Sequence, residues 1–190
     1  MKSLLTLVVL AMAVTFGASA ASAQYGMKGD KNPMVGGAAM YKTKNIVENA
    51  VNSKDHTTLV AAVVAAGLVD TLKSAGPFTV FAPVNSAFDA LPAGTVETLL
   101  KPENKATLVK ILTYHVVAGN MDSKMIAKAI KKGKGKAELT TVAGGKLWAS
   151  MDGKNLILTD EKGGKSMVTI ANVRQSNGVI HVVNSVLLPN

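Results

Sequence analysis

The sequence predicts an α+β fold, with helices mainly in the N-terminal half and strands in the C-terminal half. In the first half, Ile46, Val47, Ala50 and Val51 recur at the spacing of one helix face. In the second half, glycine-containing turns separate short apolar runs, which is typical of antiparallel strands joined by hairpins. Because helices and strands are segregated along the chain, α+β is favoured over an alternating βαβ design.

The first half contains several helix signals around one apolar strand. Asp55 is placed to cap the second helix, and Gly67 is placed to end it. Asn85 or Ser86 is expected to cap a brief helix, and Ser123 a later one. The predicted order is helix 46–51, helix 56–66, helix 69–75, strand 78–82, helix 85–91, helix 95–100, helix 103–112, strand 114–117 and helix 124–131.

The second half is predicted to be β-rich. Its turn signals are Gly144–Gly145, Asp152–Gly153 and Gly163–Gly164, which suit tight connections between antiparallel strands. The strands predicted between and around these turns are 137–142, 146–151, 155–159, 167–173 and 179–188.

The N-terminus has the pattern of an export signal. Lys2 precedes an apolar stretch that is too short to span a bilayer, and Ala21 and Ala23 fit a signal-peptidase site. The sequence therefore predicts a signal peptide over residues 1–23, cleaved after Ala23, and a secreted or periplasmic protein. Residues 24–42 are expected to be a flexible leader and residues 43–190 a single domain, with no transmembrane segment.

Composition limits the chemistry of the chain. The absence of cysteine excludes thiol catalysis and cysteine-based metal sites, so stability must come from the core. The formal net charge is +9, and Arg174 is the only arginine. Lysine is a hydrated point charge, whereas arginine provides the planar fork that reads bases and phosphates. We therefore expect loose attraction to anionic surfaces and no specific nucleic-acid partner.

Three segments together resemble the fasciclin-like domain family. They are Thr79–Phe88 (TVFAPVNSAF), Ile111–Val117 (ILTYHVV) and Gly178–Pro189 (GVIHVVNSVLLP), in the order and spacing of that family. The resemblance spans about 145 residues. It implies a two-sheet β-sandwich or wedge with several packed helices. It also implies a non-enzymatic module that mediates adhesion to cell-surface, envelope or matrix polymers or proteins, without a cofactor.

The residues that carry the resemblance are expected to have mainly structural roles. Two positions depart from the family pattern: Val84 stands where threonine is usual, and Asn184 where aspartate is usual. Both changes remove polarity or charge from the same end of the motifs, and this weakens a binding role for that end. The motif residues are Phe81, Pro83, Asn85, Phe88, Tyr114, His115, His181 and Asn184.

The histidines do not have the spacing of a metal or catalytic site. His115 and His181 lie in apolar runs and are interpreted as hydrogen-bonded core residues, while His56 is expected to be exposed near a helix start. No metal site and no catalytic residue are predicted. A hydrolase built on Ser86, a histidine and Asp89 would lack the usual nucleophile turn.

Two surface features remain as candidate contacts. Lys131, Lys132, Lys134 and Lys136 are expected to form a mobile cationic loop, which is either an ordinary solvated loop or a contact for anionic glycans or lipids. Trp148 either fills core volume or stacks on a sugar, which would require Tyr41 or Tyr114 beside it on an open face. A glycan- or small-ligand-binding protein with a defined pocket is therefore the alternative function.

Overall fold

A computed structural model describes residues 32–190, which form one packed unit. The predicted signal peptide and the first part of the predicted leader lie outside the described residues. Helices do predominate in the first half and strands in the second. In chain order the elements are β1 Met34–Val35, β2 Ala38–Ala39, α1 Ile46–Ala50, α2 Thr57–Ala66, α3 Val69–Lys73, β3 Phe78–Pro83, α4 Asn85–Asp89, α5 Thr95–Leu99, α6 Lys105–Tyr114, β4 Val116–Ala118, α7 Ser123–Lys132, β5 Lys136–Thr140, β6 Lys146–Asp152, β7 Asn155–Thr159, β8 Lys165–Gln175 and β9 Gly178–Val183.

The packed unit begins before the boundary that the sequence predicts at residue 43. Strands β1 and β2 form a small hairpin, and Val35 and Met40 around it are 4% and 2% exposed. The hairpin turn is held against the domain, since a Cβ on Gly36 would lie 2.3 Å from the Ser53 hydroxyl oxygen. Residues 32–42 therefore belong to the domain, because their apolar side chains complete its core.

Strands β3 and β9 lie side by side in parallel at the centre of the molecule. The seven-stranded sheet has the order β4-β3-β9-β8-β7-β6-β5, and all its other pairs are antiparallel. All residues of β9 are buried, as expected for a strand covered on both faces. This is why its sequence is a continuous apolar run rather than an alternating one.

The long strand β8 joins the two layers of the fold. Its first residues pair with β7 and its last residues with β9, and two register irregularities between Val168 and Val173 allow it to bend. The outer edges also approach each other, since Val117 forms a bridge with Thr141. The predicted two-sheet wedge is thus a single hydrogen-bonded sheet folded on itself.

Alternate residues of the central strands point into two different apolar cores. We call the first the helical cluster: it packs Val80, Ala82, Ile180 and Val182 against the helices. We call the second the strand cluster: it packs the opposite face of the central strands against β5, β6, β7 and α7. Its buried members are Phe81, Tyr114, Val117, Ile126, Ile130, Ala137, Leu139, Leu147, Ala149, Leu156, Leu158, Val183 and Leu187.

Several helix caps differ from those that the sequence suggests. Asp55 lies in a 3-10 turn over Lys54–His56, and α2 begins without a cap from its own preceding side chain. Helix α7 is capped by Asp122, whose carboxylate accepts from the Met125 N–H, and not by Ser123. The expected end of α2 is confirmed, because Gly67 takes the left-handed conformation there.

Helix α6 continues two residues further than its apolar spacing indicates. Leu108, Ile111 and Leu112 form its buried stripe as predicted, but Tyr114 is still helical and the following strand begins only at Val116. This extension points the Tyr114 ring into the strand cluster. No helix of the described residues is both long and apolar enough to cross a bilayer.

Candidate functional site

Phe81 and His181 form a stacked pair inside the fold. They are register partners on the parallel strands β3 and β9, with ring centroids 5.6 Å apart and an interplanar angle of 28°. His181 Nε2 lies 2.9 Å from the Met121 carbonyl oxygen, so this nitrogen carries the proton. Burial lowers the pKa of His181, and its Nδ1 has no partner in the described structure. The pair anchors the central strands and does not face solvent.

His115 is fixed as a neutral tautomer. Its Nδ1 donates to the Ile111 carbonyl at 2.9 Å, and its Nε2 accepts from the Leu187 N–H at 3.0 Å. Burial lowers the pKa of His115 to about 4, because the charged ring would lose hydration. The ring therefore ties the end of α6 to the C-terminal segment.

Tyr114 connects α6 to two turns of the strand-rich half. Its hydroxyl donates to the Lys146 carbonyl at 2.6 Å and accepts from the Glu161 N–H at 3.1 Å. Burial raises the pKa of Tyr114 to about 12. The ring touches the turn so closely that a Cβ on Gly145 would lie 2.7 Å from a ring carbon. The tyrosine is completely buried, so it cannot form an open sugar platform with Trp148.

Asn85 caps a neighbouring helix instead of its own. Its side-chain oxygen accepts from the Thr58 N–H at 3.1 Å and from the Thr57 hydroxyl at 3.2 Å. Its amide nitrogen donates to the Lys54 carbonyl at 2.8 Å. The side chain thus supplies the missing cap at the start of α2, while Val84 occupies the N-cap position of α4 without a side-chain hydrogen bond.

Asn184 joins the end of β9 to β8. Its side-chain oxygen accepts from the Met167 N–H at 2.8 Å, and its own N–H donates to the Met167 carbonyl at 3.1 Å. Asn184 is exposed, but both these bonds hold the strand end. The remaining motif residues, Pro83 and Phe88, are buried at the ends of β3 and α4.

The motif residues do not assemble a catalytic or metal-binding group. Both ring nitrogens of His115 are already bonded. His181 bonds Met121 through Nε2, and its Nδ1 has no partner in the described structure, so neither histidine pairs with Ser86. Within residues 32–190 no cluster of three or more histidine or acidic side chains is placed to hold a metal ion.

The four lysines predicted to form a mobile loop lie on ordered elements. Lys131 and Lys132 are in the last turn of α7, Lys134 is in a tight turn, and Lys136 begins β5. The turn is compact, since a Cβ on Gly133 would lie 1.9 Å from the Lys136 carbonyl oxygen. All four lysines are exposed. They do not form the expected loop, because α7 continues through Lys132 and a tight turn leads directly into β5.

The basic surface is larger than the lysine-rich segment alone. Lys124 and Lys128 are exposed on α7 at positions that share a face with Lys131 and Lys132, while Ile126 is buried on the opposite side. We call these six residues the lysine face: Lys124, Lys128, Lys131, Lys132, Lys134 and Lys136. The signal that sequence inspection missed is the helical spacing of the first two lysines with the last turn.

Trp148 borders the lysine face. It is half-buried on the outer side of β6, and the Lys136 ammonium lies 4.8 Å from the centroid of its ring. On the same two strands, Lys146 of β6 and Glu138 of β5 form an exposed ion pair at 2.9 Å. Trp148 therefore neither fills the core nor stands free, because a cation already covers its ring.

The largest difference from the sequence-based picture concerns His56. From the sequence we expect His56 to be exposed, but in the structure it is buried, with only 3% of its surface exposed. Its Nδ1 lies 2.8 Å from the Ser53 hydroxyl. His56 lines a cavity of about 270 Å³ on the helical side of the sheet. The spacing of Ser53 and His56, three residues apart, was the available but weak signal for this pairing.

Comparison with known proteins gives consistent matches over this domain. The model of the fasciclin domain family matches residues 54–189. Protein sll1483 of Synechocystis is 50% identical over 161 residues, covering 84% of this chain and 82% of that protein. The cell surface glycolipoprotein MPB83 of Mycobacterium bovis is 31% identical over 172 residues, covering 88% and 70%.

A solved structure supports the same fold. It is a FAS1 domain pair from the insect cell adhesion molecule fasciclin I, with a TM-score of 0.68 and 16% identity. The match covers 76% of this chain and 51% of that one, so the present chain spans about half of the pair. The fold predicted from the sequence motifs is thereby confirmed.

Proposed function

The chain belongs to the fasciclin domain family, and from that premise we propose that it is an exported, non-enzymatic adhesion module. In this proposal it binds anionic cell-surface, envelope or matrix polymers through the lysine face. The observation that carries the proposal is the ordered array of six exposed lysines on α7 and the turn that follows.

The geometry of the lysine face suits a broad anionic surface better than a single small anion. Four of its lysines share one side of a rigid helix, which is fixed to the sheet by Ile126 and Ile130. Lys131, Lys132 and Lys134 have no carboxylate within ion-pair distance in the described part of the chain. Their charges are therefore available to an external partner.

Export is proposed from the pattern of residues 1–23 and from the relatives. MPB83 is by its name a cell surface protein, and fasciclin I is described as a cell adhesion molecule. An export signal would bring the lysine face into contact with the anionic polymers of an envelope or matrix. Expression of the full chain followed by N-terminal sequencing of the exported protein tests this part, and we expect Gln24 as the first residue.

The binding proposal is tested with immobilised dextran sulfate, and with uncharged dextran as the matched polymer. We expect the protein to bind the sulfated polymer only, and less tightly as salt is raised, because exposed charges are screened. In a second protein, Lys131, Lys132, Lys134 and Lys136 are changed to glutamine. We expect its Kd for dextran sulfate to rise at least about ten-fold, because each lost charge removes on the order of 1 kcal/mol or less of binding free energy.

The control variant changes four other exposed lysines to glutamine: Lys101, Lys105, Lys154 and Lys162. It has the same net charge as the first variant but keeps the lysine face. We expect it to bind nearly as well as the natural protein. Equal losses in both variants would show that only net charge matters, and binding to uncharged dextran would contradict the electrostatic mechanism.

A further inference from the structure

The cavity in the helical cluster is large for the core of a small domain. Its volume of about 270 Å³ exceeds that of an apolar cavity of about 150 Å³, which stays dry and takes up benzene. The space is therefore sufficient for a benzene-sized ring with a short alkyl chain. The cavity is partly open to solvent, and the side chains that line it have fewer van der Waals partners than fully packed core residues.

The wall of the cavity is almost entirely apolar. It is formed by side chains from α1, α2, α3 and the central strands, among them Ile46, Val63, Leu72, Val80 and Ile180. A charged ligand would lose its hydration there without a buried countercharge, since the lysine on the wall, Lys73, is exposed. The wall thus favours a neutral, mainly hydrocarbon ligand.

The other buried or half-buried polar groups of the wall are already bonded. The Thr113 hydroxyl donates to the Val109 carbonyl at 2.7 Å, and both nitrogens of His115 are occupied. The Ser53 hydroxyl contacts His56 Nδ1. This leaves His56 Nε2 as the wall's buried side-chain polar atom without a hydrogen bond in the described structure.

His56 Nε2 has almost no accessible surface, so a polar atom of a ligand would reach it only after a small rotation of the ring toward the cavity. Burial lowers the pKa of His56, and the nearby Ala82 backbone offsets part of this lowering. The Ala82 carbonyl does not form a hydrogen bond with His56 Nε2. A buried nitrogen without a partner costs free energy that a hydroxyl or carbonyl group of a ligand would recover.

The cavity is bordered by apolar side chains that reach solvent. Val51, Val64 and Val142 line it and are 55%, 61% and 50% exposed. Val51 lies just after α1, Val64 lies on α2 and Val142 lies in the turn after β5. They provide an apolar rim through which a hydrophobic molecule would enter.

We propose that this cavity binds a small neutral molecule composed of a hydrocarbon ring or short chain with one hydroxyl or carbonyl group, which hydrogen-bonds to His56 Nε2. This function is independent of the lysine face. It would make the domain a carrier or sensor of small hydrophobic compounds in addition to an adhesion module.

The test uses two probes with the same number of non-hydrogen atoms: 4-propylphenol, which carries one hydroxyl group, and butylbenzene, which has no polar group. Binding to the full chain is measured by calorimetry, and the site is located by NMR of methyl groups. We expect both probes to shift the methyl resonances of Val63 and Leu72, and to leave those of Leu147 and Leu158 in the strand cluster unchanged. The preference for 4-propylphenol is the Kd of butylbenzene divided by the Kd of 4-propylphenol. We expect this ratio to be about ten-fold higher in the natural protein than in the variant described next.

The variant His56→Phe keeps a ring of similar shape and removes the unpaired nitrogen. In this variant the preference for 4-propylphenol over butylbenzene should fall by about ten-fold, while butylbenzene still binds. Val63→Phe fills the cavity and should abolish binding of both probes. If it does not fold, the methyl shifts in the natural protein still locate the site. Failure of both probes to bind, shifts in the strand cluster instead, or an unchanged preference in His56→Phe would each overturn the proposal.

Discussion

The helical cluster and the strand cluster lie on opposite faces of the same two strands but are packed differently. In the strand cluster, eight members, including Ile126, Leu147, Ala149 and Leu158, are completely buried among the sheet layers and α7. The helical cluster is covered by short helices, two of them only five residues long, and contains the cavity of about 270 Å³. Sheet layers interdigitate along their whole length, whereas short helices leave gaps where they meet.

This difference assigns separate tasks to the two regions. The strand cluster forms a rigid base for α7 and therefore for the lysine face. The helical cluster retains space and an unpaired polar atom at His56. Four predictions test whether the two regions differ in the way that their packing indicates.

The largest expected effect comes from removing matched leucines from the two clusters. Leu158→Ala should lower the free energy of unfolding by about 4 kcal/mol, because it opens a new cavity among fully packed neighbours. Leu72→Ala should cost only about 2 kcal/mol, because Leu72 already borders empty space and has fewer contacts to lose. Urea unfolding of both variants measures the difference. Equal losses would mean that the two clusters are equally well packed.

Acid should destabilise the domain through His115, which lines the cavity and also holds the C-terminal segment. Its folded pKa of about 4 is below the unfolded value of 6.5, so the unfolded chain binds more protons between these values. The stabilisation is fully present above pH 6.5 and is lost as the pH falls toward 4. The expected loss from this group is about 3 kcal/mol.

Stability curves from pH 4 to 7 test this prediction, with His115→Gln as the variant without a titrating ring. Its curve should be flatter by the contribution of His115. His56 and His181, whose pKa values are also lowered by burial, remain in both proteins and provide a common background. Curves of the same slope would show that His115 does not contribute.

The hydrogen bonds of Asn85 should matter more than those of Asn184. Asn85→Ala removes the cap of α2 and a bond to Lys54, and should cost about 1–2 kcal/mol. Asn184→Ala, the matched control on the strand side, should cost about 0.5 kcal/mol, because the Met167 N–H that it leaves unpaired is near solvent. Thermal unfolding of the two variants gives the comparison, and an equal or reversed order would contradict it.

The smallest effect is expected at the turn between α7 and β5. Lys134 has a φ of 54°, which is a left-handed conformation that residues other than glycine adopt less readily. Lys134→Gly should therefore stabilise the domain by about 0.5–1 kcal/mol. Lys132→Gly is the control within the last turn of α7 and should destabilise by a similar amount. Chemical denaturation measures both changes, and a loss of stability in Lys134→Gly would be the contrary result.

Much of the local structure could be predicted from the sequence because it depends on neighbours a few residues apart. The apolar stripe of Leu108, Ile111 and Leu112 is visible in the spacing, as are the glycine turns between β5 and β8. The end of the last strand was not predicted, because the apolar run continues to Leu188 whereas β9 ends at Val183. The helix starts were less predictable, since Asp122 and Ser123 are both good caps and only the backbone geometry selects Asp122.

The sequence by itself determined the fold family, the helical and strand segments and the density of lysine charge, because each is encoded in local spacing or in contiguous motifs. The tertiary structure alone decided that His56 is buried, that Asn85 caps α2 and that the helical side keeps a cavity. These features depend on side chains far apart in the chain that meet only after packing. By contrast, the placement of Lys124 and Lys128 beside the turn lysines follows from helical spacing along α7 and was available in the sequence.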